Sequence, residues 1–112
     1  MAISMALIER GHENPALSWT NKIMCTKDDD GSFSLQLIVK GDFGISREPS
    51  LKGIRSPEAF VDGLLMVTAR SELRFEEEDI VADICIRLHT LDADFADAVI
   101  EYVSSNHAAN IQ

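Results

Sequence analysis

Residues 33 to 40 constrain the fold more than any other stretch, because Phe33, Leu35, Leu37 and Val39 alternate with Ser34, Gln36, Ile38 and Lys40. Successive side chains of a strand point to opposite faces, so a period of two describes a strand with one face buried. A sheet built on it needs an apolar layer along one side. The pairing strand lies just upstream, where Ile23 and Cys25 precede the turn sequence Asp28-Asp29-Asp30-Gly31. A three-residue loop of Asp29, Asp30 and Gly31, with Gly31 in the left-handed position of a bulge, sets Lys27 opposite Phe33, Cys25 opposite Leu35 and Ile23 opposite Leu37. A two-residue Asp30-Gly31 turn would leave Ile23 and Cys25 on the polar face, so the longer loop is expected.

The covering layer is legible further on. Ser56-Pro57-Glu58 combines a capping hydroxyl, Pro at the first helical position and an acid in the first turn. The helix it opens runs to about Ser71 and is expected to bury Phe60, Val61, Leu64, Leu65 and Val67. Gly63 in its interior costs about 1 kcal/mol relative to Ala, which implies a close neighbour there. Val81, Ile84 and Leu88 then recur at helical spacing in a segment from about Glu76 to Thr90. Phe95, Val99 and Val103 do the same in a helix capped by Asp92 that runs from Ala93 to about Ser105, with a frayed tail from Asn106 to Gln112. The expectation is one α+β domain spanning residues 1 to 112, an N-terminal β-hairpin or small antiparallel sheet packed by three C-terminal helices.

Two stretches are less determined. The first ten residues favour a short helix by composition and by Arg10-Gly11 as its end, although Ile3, Met5 and Leu7 also alternate like a strand. Residues 11 to 15 form a polar break before Pro15. Gly41 to Ser56 shows no clear period and is expected to be a loop packed by Phe43, Ile45, Leu51 and Ile54, with Phe43 and Ile45 able to extend a short third strand. Its bases Arg47, Lys52 and Arg55 are expected to lie over the acidic helices.

Charge separates the two halves. Residues 1 to 56 hold seven acids and seven bases, whereas residues 57 to 112 hold twelve acids against Arg70, Arg74 and Arg87, so the net charge of −9 belongs to the helical half. Glu76, Glu77, Glu78 and Asp79 fall in an opening helical turn, where the helix dipole favours acids and explains their presence without a partner. The dipole explains less about Asp94, Asp97 and Glu101, which recur along one face with no base in reach. Like charges at these spacings cost a few tenths of a kcal/mol each.

Several chemistries fail on spacing. A calcium loop starting at Thr26 would place Asp28, Asp30 and Gly31 correctly but Leu37 where a bidentate Glu is required. Asp42-Phe43-Gly44 matches the magnesium-binding tripeptide of kinases without a phosphate-covering Gly-rich loop to go with it. Cys85 and His89 share a helical face, yet Cys25, His12 and His107 lack ligand spacing, so a core role for Cys85 is favoured over a zinc site or nucleophile. No basic patch interleaved with aromatics marks nucleic-acid binding, and no apolar run approaches a membrane span. Two distant cysteines and an N-terminus without a signal-peptide pattern suggest a cytoplasmic protein with reduced thiols.

The class expected from this is an acidic protein-binding inhibitor, on the pattern of a bacterial immunity protein that neutralises a basic toxin such as a nuclease. Its partner would be a basic protein, toxin or enzyme, met by Asp94, Asp97, Glu101, Glu76, Glu77, Asp79 and Asp83. An acidic secretion-type chaperone or adaptor, working as a homodimer, is the alternative, and a nucleic-acid mimic is a weaker one. An enzyme is the least supported class, and no cofactor or metal is expected.

Overall fold

The computed structural model describes residues 2–11, 20–41, 44–69 and 78–110, with side chains 78–80 and 106–110 outside the description. It is an α+β fold in which an antiparallel sheet of five strands precedes and packs against three helices. The strands are β1 (Ile3–Gly11), β2 (Thr20–Lys27), β3 (Phe33–Gly41), β4 (Gly44–Arg47) and β5 (Leu51–Ile54); the helices are α1 (Pro57–Ala69), α2 (Glu78–Leu91) and α3 (Ala93–Asn110).

The central hairpin has the expected register, with Lys27 opposite Phe33, Cys25 opposite Leu35 and Ile23 opposite Leu37. The Asp28 amide donates to Ser32 O at 2.8 Å and the Gly31 amide to Asp28 O at 3.0 Å, closing the loop around Gly31 at φ +85°. Ile23, Cys25, Phe33, Leu35 and Leu37 are all buried on the side that the helices cover.

β1 replaces the expected N-terminal helix and pairs antiparallel with β2. Its register slips by one residue between Ala6 and Ile8, a bulge that buries the consecutive Leu7 and Ile8 together. That break in alternation blurred the strand signal, and pairing with β2 overrides the helical composition. Gly11, read as a helix end, pairs with Thr20.

The stretch read as a packed loop forms β4 and β5, which share the outer edge of β3. β4 pairs with Ile38 to Gly41, and β5 with Phe33 and Leu35 after a further register slip beside Gly53 at φ +73°. The slip in β5 and Pro49 between the strands erase the period of two that would have revealed them. Leu51 and Ile54 pack on the core as expected, but Ile45 is exposed; Phe43 lies outside the described residues.

α1 begins where the sequence places it, with the Ala59 amide donating to Ser56 Oγ at 3.2 Å. A Cβ on Gly63 would meet Leu35 Cδ1 at 3.1 Å, the close neighbour its position implied. Leu65 is exposed, contrary to expectation, because the covered stripe runs through Phe60, Val61, Leu64, Val67 and Thr68 and stops short of it. The expected extension to Ser71 lies outside the described residues. α3 continues past Ser105 to Asn110, since no Gly or Pro interrupts the chain there and Ala108 and Ala109 favour a helix. α1 packs on β3 and β5, α2 on β1, and α3 lies between them. The molecule is 21 Å thin along its shortest axis, one layer of helices on one sheet.

Candidate functional site

The acidic ridge stands on α3, and the first turn of that helix is fixed from two sides. Asp92 caps it, accepting the Phe95 amide on Oδ1 at 3.1 Å, and accepts Lys27 Nζ from the end of β2 on Oδ2 at 2.9 Å. These bonds favour the carboxylate and hold Asp92 below its usual range, the cap contributing most. Phe95 stacks on Phe33 with ring centroids 4.3 Å apart and meets Phe60 edge-on at 5.4 Å. Ala96 and Val99 are buried beneath it. Helical geometry then leaves Asp94, Asp97 and Glu101 on the outer side, and all three are exposed.

Asp83 is exposed on α2. Asp79 belongs to the opening turn of α2 with its side chain outside the description, and Glu76 and Glu77 lie outside the described residues. One expectation about the ridge is corrected. His89 Nε2, from the last turn of α2, approaches Asp97 Oδ1 at 3.7 Å, so a base is in reach after all. A periodicity reading along α3 alone could not find it, because the contact crosses to the neighbouring helix.

The bases of residues 41 to 56 do not gather over the acids as expected. Arg55 instead donates to Asp30 Oδ2 at 2.9 Å in the hairpin turn. Together with the bonds from Ser32 Oγ and the Ser32 amide, which contribute most, this keeps Asp30 low. Burial pushes the half-buried Cys85 thiol upward, the opposite of what activates a nucleophile. Cys25 is pushed up to about 12 by burial and then by the charge of Asp28. Among the described residues no group of three or more His, Cys, Asp or Glu could hold a metal ion.

Sequence reasoning missed a second surface, the side of the sheet that no described helix covers. The register sets Ser4, Thr26 and Ser34 in one row across it, then Ala6, Met24 and Gln36, then Glu9, Lys22, Ile38 and Arg47. A hollow of about 280 Å³ opens among these rows, from Ser4 on β1 to Arg47 on β4. Its floor is bonded internally: Ser4 Oγ lies 2.8 Å from Thr26 Oγ1, Ser34 Oγ donates to Asp28 Oδ2 at 2.7 Å, and Gln36 Nε2 donates to Glu48 O at 3.0 Å. The alternation of β3 announced a polar face, but the contributions of β1 and β4 required those strands to be found.

In comparisons with known proteins, no family model, no curated protein and no solved structure matches the chain. No helix formed by the described residues is long and apolar enough to cross a membrane.

Proposed function

We propose that the protein is an acidic inhibitor of a basic protein, on the pattern of a bacterial immunity protein that neutralises a basic toxin such as a nuclease. The observation that carries this reading is the ridge of Asp94, Asp97 and Glu101, exposed on a helix whose start is pinned by Asp92 and Phe95. A fixed row of carboxylates on the outer face of a −9 molecule steers a basic surface toward it and sets the register of docking. Asp83 on the adjacent α2 adds to the same field. The row is maintained although like charges at these spacings cost helix stability, and His89 lies near only the middle one.

The test begins with capture of a basic partner from the native host on immobilised protein. Its association rate is then measured against salt for the wild type and for Asp94→Lys/Asp97→Lys/Glu101→Lys. Because the Debye length is about 8 Å at physiological salt, wild-type association should slow steeply as salt rises, and the triple variant should lose most of that dependence. An acidic partner, or unchanged kinetics in the triple variant, refutes the reading.

A further inference from the structure

Among the described residues, the two broad faces of the slab carry opposite charge. On the helices the exposed carboxylates Glu58, Asp62, Asp83, Asp94, Asp97 and Glu101 are set against only Arg87 as a full cation among the described residues. On the bare side of the sheet Lys22 is taken up by Glu9 at 3.4 Å, whereas neither Lys40 nor Arg47 forms an ion pair among the described residues. The register places Lys40 opposite Ile45 and Arg47 opposite Ile38, so two exposed cations flank two aliphatic side chains. The ridge has the complementary composition, with Ile100 40% exposed beside Asp97 and Glu101.

We propose that the bare face of the sheet docks the acidic helical face of a second copy of this chain. Lys40 and Arg47 meet Asp97 and Glu101, and Ile38 and Ile45 meet Ile100. Helices laid on an uncovered sheet restore the two-sided cover common to α/β layers. The complementary surfaces lie on opposite sides of a slab 21 Å thick, so the contact is head to tail and does not close on itself. Copies stack in place of forming a two-fold dimer. The net charges repel, but at physiological salt screening over about 8 Å confines that repulsion while the touching groups attract. A basic protein on the ridge would displace the neighbouring copy, and the stacking itself stands on observations independent of such a partner.

Sedimentation velocity on the full chain at physiological salt tests this. The average mass should rise with concentration past that of two copies below about 1 mM, the weak range of association. Lys40→Glu/Arg47→Glu and Asp97→Lys/Glu101→Lys should each remain monomeric. An equal mixture of the two should associate again, because each variant supplies the charge that the other has lost. The mixture also reports folding, since an unfolded variant cannot complement; should one melt early, Lys40→Gln/Arg47→Gln should weaken self-association about tenfold, the loss of two exposed ion pairs. A wild type that stays monomeric to about 1 mM, a closed dimer that survives in both variants, or a mixture of two folded variants that fails to associate overturns the proposal. The sedimentation runs contain this chain alone, so the two readings fail separately.

Discussion

Lys27, the last residue of β2, donates at 2.9 Å to Asp92, the single residue between α2 and α3. One carboxylate thus caps the helix that carries the acidic ridge and ties it to the hairpin. Asp92→Ala should cost about 1–2 kcal/mol in chemical denaturation, the usual value of a lost cap. Lys27→Ala should cost less, about 0.5–1 kcal/mol for a pair that is partly exposed. The double variant should cost less than the two combined, because both remove the same bond.

The pH dependence follows from the direction of the Asp92 shift. A carboxyl held low in the folded state binds its proton more weakly there than in the unfolded chain. The stabilisation is therefore complete above the unfolded value of about 3.9 and is lost as pH falls through the lower folded value. Asp92→Asn keeps a capping side chain but cannot titrate. Its unfolding free energy should fall less steeply than the wild type's between about pH 5 and pH 2, and parallel curves would contradict the assignment.

Cys25 gives the opposite sign at the alkaline end. Its thiol, pushed up to about 12 in the folded state, stays protonated where the unfolded chain would ionise near 8.5. Stability from this group is present below that unfolded value and declines as pH rises toward 12. In native protein at pH 8, Cys85 should react with a thiol reagent well before Cys25, whose modification should follow unfolding.

The hairpin register separates neighbouring positions. Leu35, fully buried, should lose about 2–5 kcal/mol on replacement by Ala, whereas Gln36→Ala should lose about 1 kcal/mol with its bond to Glu48. Gly31→Ala should cost about 1 kcal/mol through backbone strain alone, since no atom lies within 4 Å of the added methyl. Comparable losses at 35 and 36 would contradict the pairing.

Gly63 is limited by space. Replacement by Ala gains about 1 kcal/mol of helix propensity but presses on Leu35 Cδ1 at 3.1 Å, so the net change in melting should be small. Gly63→Val adds volume with Leu51 and Ile54 also near, and should cost about 1–3 kcal/mol.

The hairpin and the helix starts were legible because each is written locally: alternation in β3, a Gly at the bulge, Ser56 and Asp92 at caps. What escaped the sequence was set by residues far apart in the chain. β1 was obscured by the bulge at Leu7 and declared itself only through β2. β4 and β5, four residues each, were hidden by their shortness and by the register slip between β3 and β5. The three ridge acids on α3 are exposed as periodicity implied, but the reach of His89 across from α2 and the pairing of Arg55 with Asp30 are tertiary facts. The hollow on the bare face needed four strands in register before it existed at all.

The strand order β1-β2-β3-β4 is also the order of synthesis, and every helix follows the last strand. Neighbouring strands in sequence pair first at little loop-closure cost, which favours rapid formation of the meander. On the ribosome, at about 5–20 residues per second, the sheet emerges several seconds before α3 can cover it. During that interval Leu35, Leu37 and Ile23 have no helix over them, and the growing chain is at its most aggregation-prone.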